Sequence, residues 1–308
     1  MENKYNGYCF VCGKGSFAPY IYLRKNSLEA ARCLSCGFVY VTNSPITPSN
    51  IADFYTMDAY KGKRVLQETH LYETYYKNAF VGYDEQDLTI RQFAGIIQDI
   101  RGLLGNKRDA SLLDVGCATG VFLDLARKEK FFVKGVEVSK DLAEYARKEF
   151  CLEVYNDLID AAFPPESFDV VTMLDVIEHI PPSLLSAIIG DIYRILKPGG
   201  VLVIRTPAED ALLRGIAKFI FLCSRRKIEF PMHFFYSYEH ILSFSSKTLA
   251  MLIMRFGFKP CLSRREEENP DRLNMHKIFK TLLRISYIFS GAFGREHKIL
   301  QYYKKDKK

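Results

Sequence analysis

Strand and helix patterns that alternate from residue 109 to about residue 210 predict an α/β fold: a doubly wound, mostly parallel sheet with helices on both faces. Two further observations describe what precedes it. Four cysteines stand in two C-x2-C pairs near the start, and from Ile51 to about Leu104 apolar and aromatic residues recur at helical spacing. The expected organisation is a small ribbon at 1–42, a helical lid or linker at 43–108, and an α/β domain at 109–308 with insertions at about 208–245 and 270–294.

The ribbon rests on "CFVC" (Cys9, Cys12) and "CLSC" (Cys33, Cys36), spaced C-x2-C-x20-C-x2-C. Two residues between thiolates let both sulfurs face one tetrahedral ion, which points to structural zinc, and Gly13 and Gly37 follow the pairs where a turn at positive φ is needed. Four thiolates leave no coordination position for water, so such a site organises structure and performs no chemistry. Cys117, Cys151, Cys223 and Cys261 lack partners at this spacing and read as core residues. "FVYVTN" is the ribbon's last strand, and the two prolines of "SPITPSN" mark a boundary.

Between Ile51 and Leu104, "DFYTMDAY", "LYETYYKNAF" and "LTIRQFAGIIQDIRGLL" give two or three helices. The domain then runs "ASLLDVG" (strand), "GVFLDLARKE" (helix), "FFVKGVEVS" (strand), "DLAEYARKEF" (helix), "LEVYND" and "FDVVTMLDV" (strands). "PSLLSAIIGDIYRILKPGG" reads as a helix with a glycine stop, and "VLVIRTP" as the fifth strand.

Length and composition are those of an ordinary globular protein: 308 residues, 48% hydrophobic and 26% charged, which excludes extensive disorder. No apolar run reaches the roughly 18 residues of a membrane span; "ALLRGIAKFIFLC" is short and carries Arg214 and Lys218. "MENKYNGYCF" lacks the order of a secretory signal, so a cytoplasmic setting with reduced thiols is expected. The net charge of +7 is uneven: residues 109–210 hold 10 Lys/Arg against 18 Asp/Glu, and the last 48 hold 12 against 6. Those basic residues read as solvated surface and a lysine-rich tail, or as a patch for an anionic surface.

"DVGCATG" opens a helix directly after a strand, the place where such sheets bind ligands. A P-loop is excluded because no lysine or hydroxyl residue follows Gly120. A dinucleotide site stays open, although Asp114 at the strand tip would repel a pyrophosphate. S-adenosylmethionine, a nucleoside with ammonium and sulfonium groups, suits an acidic tip. Glu137 ends the second strand, where a carboxylate accepts hydrogen bonds from both ribose hydroxyls. Asp157 is placed for the adenine amino group, and Met173 and Leu174 for the methionine moiety.

The series "LLDVGCATG", "VKGVEVS", "FPPESFDVVTMLDVIEHI", "RILKPGGVLVIRTP" and "EHILSFSSKTLAMLIMRFGF" resembles the class I S-adenosylmethionine-dependent methyltransferases in order and spacing, over about half the chain. The resemblance implies a Rossmann-like sheet and cofactor binding by Asp114, Gly116, Gly120, Glu137 and Asp157; Cys117 in the same loop, with Met173 and Leu174 by position, completes the candidate cofactor set. Ala118 departs from the glycine that many members carry. The ribbon and aromatic helical segment also look like a bacterial subgroup found with polysaccharide or natural-product genes.

Methyl transfer to oxygen needs a positioned acceptor and a base. His179 in "IEHIPP" and His240 in "YEHILSFS" are the candidates, with a role in structuring the turn before Pro181 as the alternative for His179 and His233 less informative; Ser245 reads as a helix N-cap, and Tyr55 and Tyr60 as a lid or as helix packing. "ALLRGIAKFIFLCSRRKIEFPMHFFY", inserted after the fifth strand, is expected over the pocket, and "MHKIFKTLLRISYIF" is amphipathic and basic; either suits a lipid-linked acceptor or a membrane surface, with core packing as the alternative. The [DN]-P-P-[YF] signature is absent, which disfavours amino methylation of adenine or glutamine. The expected function is methylation of a small molecule, most simply a hydroxyl of a sugar, glycolipid precursor or secondary metabolite. Its rivals are an RNA methyltransferase gripping substrate with ribbon and basic flanks, though nucleic acid is not the expected partner, and a non-catalytic binding protein.

Overall fold

Strands read from apolar runs at 109–210 form the centre of a seven-stranded sheet. The computed structural model describes residues 8–56, 88–270 and 277–307. The ribbon strands are β1 (Phe17–Leu23), β2 (Leu28–Cys33) and β3 (Val39–Val41), followed by α1 (Ile51–Phe54) and α2 (Leu88–Leu103). The domain continues with β4 (Ser111–Val115), α3 (Val121–Lys128), β5 (Phe132–Val136), α4 (Lys140–Phe150), β6 (Val154–Tyr155), β7 (Phe168–Leu174), α5 (Pro182–Ile195) and β8 (Leu196–Pro207). Then come α6 (Leu212–Cys223), α7 (Phe230–His233), β9 (Leu242–Ser243), α8 (Ser246–Met254), β10 (Phe258–Glu266), α9 (Lys277–Ala292) and β11 (Lys298–Lys305).

The large sheet has the order β10-β11-β8-β7-β4-β5-β6. Strands β4 to β8 are mutually parallel, and β11 lies antiparallel between β8 and β10. Helices cover both faces. One face packs α5 through Leu185, Ile189 and Ile192 and α8 through Leu249, Leu252 and Ile253. The other packs Ile96, Ile97 and Ile100 of α2 against Phe122, Leu123 and Ala126 of α3. Since β4 and β7 are covered on both sides, they read as apolar runs and not as alternating patterns.

Three sequence expectations are corrected. The last residues were read as a lysine-rich tail, yet Lys298–Lys305 is an inner strand that buries Ile299, Leu300, Tyr302 and Tyr303. The helix read through "RILKPGG" stops at Ile195: Leu196 already pairs with Phe168, and Gly199 turns at φ +76° inside the start of β8. Cys151, Cys223 and Cys261 are exposed; only Cys117 of that group is buried. They lie at a left-handed helix cap, at a helix end and in a bulged edge strand, where a small side chain need not face the core. Ser245 does cap α8, in a capping box closed by Thr248.

The ribbon is stitched into the rest of the chain. β3 pairs with β9, which comes from the stretch read as an insertion, through Val39–Ser243 and Tyr40–Leu242. Phe38 packs on Phe244 with ring centroids 5.1 Å apart, and the Arg255 guanidinium donates to the carbonyls of Phe10 and Val11 at 2.6 and 3.1 Å. Tyr60 and most of the expected helical segment lie outside the described residues.

The inner position of β11 gives a clear test. Leu300→Ala should lower unfolding stability in urea by about 2 to 5 kcal/mol, the cost of truncating a buried leucine. In a solvated tail the same change would stay within about 0.5 kcal/mol.

Candidate active site

The site forms where the parallel strands end. The chain leaves β4 after Asp114 and Val115, turns through Gly116 at φ +76°, Ala118 at φ +48° and Gly120 at φ +85°, and enters α3. A Cβ on Gly116 would lie 2.4 Å from Val176 Cγ2, and one on Gly120 would lie 2.5 Å from Leu152 Cδ1. Glycine is therefore required at both by strain and by space. The amides of Gly116 and Cys117 donate to the Val136 carbonyl at 2.7 and 3.0 Å, which docks the loop on the end of β5.

Glu137 follows β5 directly and is buried. Its carboxyl accepts from the amides of Ser139 and Ala118, each at 2.9 Å, so it spans from its own strand to the glycine loop. Asp114 is also buried and accepts from the Thr172 hydroxyl at 2.5 Å. Burial pushes both carboxyls up to about 7, against those hydrogen bonds. Burial, with these two acids nearby, also raises the Cys117 thiol well above its ordinary value, so it packs as an inert thiol.

The remaining expected cofactor residues differ in placement. Asp157 lies just past β6, exposed, its carboxylate accepting from the amides of Ile159 and Asp160 at 2.7 and 3.0 Å. Leu174 is half-buried at the end of β7. Met173 is fully buried in one hydrophobic cluster, and Leu174, its neighbour on the strand, packs against the other, since alternation along a strand sends neighbours to opposite faces.

The two candidate bases meet. His179 closes a 3-10 turn, Ile177–His179, just past β7, and His240 approaches from the stretch before β9 with ring centroids 4.9 Å apart. Tyr55, expected as a lid, packs edge-on against His179 at 5.3 Å. His179 Nδ1 donates to the Glu239 carbonyl at 2.9 Å, since a carbonyl only accepts, and the neutral ring then carries its lone pair on Nε2. Burial, with His179 beside it, holds His240 well below the usual range, as a neutral imidazole. Glu178 is buried and pushed up to about 8 by burial and the charge of Asp175, with an oxygen 3.9 Å from His179 Nε2. His233 stands apart in α7, 3.7 Å from Glu229.

Sequence reasoning missed Asp175, Arg205 and Lys298. Arg205 and Lys298 reach Asp175 Oδ2 at 2.7 and 3.1 Å. Burial alone would raise the Asp175 carboxyl, but these two cations hold it below the usual carboxylate range. The three arise from distant segments; the positive φ of Asp175, at +59°, is a local sign that no sequence pattern shows.

At the ribbon, the sulfurs of Cys9 and Cys36 and those of Cys12 and Cys33 lie 3.8 Å apart, and all four lie within 4.8 Å of one another. A tetrahedral ion with metal–sulfur bonds of about 2.3 Å sets its sulfurs about 3.8 Å apart, so the set fits such an ion. Gly13 and Gly37 turn at φ +69° and +82° and donate to the carbonyls of Cys9 and Cys33.

A family described as a methyltransferase domain matches residues 86–262, more than half of the chain. The chain belongs to this family of S-adenosylmethionine-dependent methyltransferases. The chain is 34% identical over 124 residues to the ubiquinone biosynthesis O-methyltransferase of Xanthomonas campestris pv. campestris (strain B100), covering 36% of this chain and 50% of that protein. It is 33% identical over 111 residues to the protein of that name from Neisseria meningitidis serogroup C, covering 32% and 44%. The chain thus spans about half the length of the curated relatives it matches. Among solved structures, the Burkholderia thailandensis 1,6-didemethyltoxoflavin-N1-methyltransferase, bound to 1,6-didemethyltoxoflavin and S-adenosylhomocysteine, aligns with a TM-score of 0.52 at 15% identity, over 94% of this chain and 99% of that one. The cyclopropane synthase MmaA2 of Mycobacterium tuberculosis aligns with a TM-score of 0.52 at 18% identity, over 72% and 87%. Both likenesses are of fold.

The raised carboxyls of the methyltransferase domain predict a pH dependence. Folded and ligand-free, Glu137 keeps its proton between its ordinary 4.5 and about 7, where the unfolded chain has lost it. The folded state then binds more protons, and this contribution to stability falls as pH rises through that window. In Glu137→Gln, urea-unfolding free energy should fall less steeply than in wild type between about pH 5 and about pH 7.5. Parallel slopes would show that Glu137 titrates as an ordinary carboxyl.

Proposed function

We propose that the protein transfers the methyl group of S-adenosylmethionine to a hydroxyl oxygen of a small-molecule acceptor: a sugar, a glycolipid precursor or another secondary metabolite. The observation that carries this reading is the placement of the buried Asp114 and Glu137 carboxyls at the carboxyl ends of β4 and β5, with the His179–His240–Tyr55 cluster just past the end of the neighbouring β7. Matches to relatives named O-methyltransferases favour oxygen as the acceptor atom.

The donor set fits the cofactor. Two carboxyls that burial pushes up to about 7 gain from a cationic ligand and from hydroxyl donors, and S-adenosylmethionine offers ammonium, sulfonium and ribose hydroxyls. Glu137 and Asp114 would hold it, with Gly116 and Gly120 leaving the loop backbone bare and Asp157 at the adenine end. When bound, the cofactor supplies a methyl group on an already activated sulfur. The chain must then orient the acceptor and take its proton. His179 is suited to that role, because Glu239 holds the proton on Nδ1 and leaves Nε2 to receive the new one. His240, kept neutral by burial, is the weaker base.

S-adenosylmethionine should bind in calorimetry and NAD should not; the reverse result removes the reading. His179→Ala should cut turnover by about 10² to 10⁴ with cofactor affinity little changed, the range for loss of a positioned base. His179→Gln keeps a hydrogen bond but takes no proton, so it should be as slow as the alanine variant. Substantial recovery with glutamine would return His179 to a role in shaping its turn.

The four-cysteine set is proposed as a closed structural zinc site, since a tetrahedral thiolate set is full. Elemental analysis should find one zinc per chain in wild type and none in the Cys33→Ala/Cys36→Ala variant, with the ribbon losing order first. Full zinc in that variant would place the ion elsewhere.

A further inference from the structure

The helices α6 and α9 touch, and each carries a row of exposed apolar residues. On α6 the inner residues Arg214, Ala217 and Phe221 are buried, with Arg214 and Lys218 turned toward Glu209. Ile216, Phe219 and Ile220, one helical face by spacing, are exposed, Phe219 by 67%. On α9, Ser290 is buried, whereas Ile278, Leu282, Ile285 and Phe289 recur at i, i+4, i+7 and i+11 and are exposed, as is the flanking Ile288 by 72%. Among the described residues, packing of the domain thus uses one face of each helix and leaves a second apolar face exposed.

The charge within these two stretches is of one sign. Residues 212–228 and 277–292 hold eight Lys/Arg and no Asp or Glu, and two of the eight, Arg214 and Lys218, face inward to Glu209. Arg225, Arg226 and Lys227 follow α6 and are exposed, as are Lys277 and Arg284 on α9, with Lys280 half-buried. No helix among the described residues is long and apolar enough to cross a membrane. An apolar face rimmed by cations matches the boundary of an anionic bilayer, where acyl chains receive the Phe and Ile side chains and headgroups meet the Lys and Arg. A second copy docked face to face would set these cations against their own kind. We propose that α6 and α9 together form a peripheral docking face for an anionic lipid surface. This inference stands apart from the choice of methyl acceptor, and its test reads binding alone.

Full-length protein is sedimented with vesicles of phosphatidylcholine, with and without about 30% phosphatidylglycerol, at low ionic strength. Partitioning should be at least about tenfold stronger on the anionic vesicles and should weaken as salt is added. Arg225→Glu/Lys277→Glu should lower it roughly 25-fold or more, about fivefold per cation lost. Phe219→Ser/Phe289→Ser should lower it at least about tenfold, with circular dichroism showing wild-type helix content in both variants. Three results would overturn the proposal: no partitioning of wild type, partitioning untouched by both variants, or a wild-type dimer in sedimentation velocity that Phe219→Ser/Phe289→Ser dissolves. The last would assign the face to a second copy.

Discussion

Arg205 and Lys298, both buried, stand among four acids at the edge where the parallel strands end, and the order of that edge depends on their pairing. Arg205 of β8 reaches Asp175 beyond β7 at 2.7 Å and Glu266 of β10 at 3.6 Å; Lys298 of β11 reaches Asp175 at 3.1 Å and Glu268 at 3.0 Å. Removing one partner of a buried pair costs more than the pair contributes, because the other charge is left without compensation. A register slip between β7, β8, β10 or β11 would separate these partners, so the network penalises alternative pairings as well as anchoring the present one. Acids outnumber bases here, with Glu178 the fourth, and Asp114 and Glu137 lie along the same edge. An added cation is favoured at such an edge, which suits a sulfonium ligand.

The sequence made the central strands legible because burial on both faces removes alternation: "SLLDV" and "FDVVTML" can hardly be anything but inner strands once helical patterns flank them. The glycine loop was legible for a different reason. Gly116 and Gly120 occupy positions that a Cβ would fill, so local chemistry constrains the letters. The cysteine pairs report their geometry through spacing alone, and the four sulfurs do converge.

What stayed hidden depends on distance along the chain. "KILQYYKK" has buried residues at six successive positions, but its terminal lysines resemble a solvated tail, and nothing local says that it inserts between β8 and β10. The pairing of β3 with β9 joins residues some 200 positions apart. It also makes the ribbon and the supposed insertion one sheet, so whatever orders the ribbon also holds the strand that begins two residues after His240. His179 and His240 were each readable as candidates, yet their contact across 60 residues of chain was not. Met173 shows the reverse case, a residue correctly placed near a strand end whose side chain faces the core.

The inner place of β11 bears on how the protein is made. During synthesis the chain emerges amino end first, at about 5–20 residues per second. Strands β4 to β8 can assemble early, but β8 keeps one open edge until residues 298–305 leave the ribosome, and β10 waits without its neighbour. Lys298 arrives with that last strand, so Asp175 and Arg205 await their remaining partner until then. The ligand edge is thus completed by the final segment of the sheet to be translated, and a nascent chain stopped short of it would expose an unpaired strand and an unfinished charge network together.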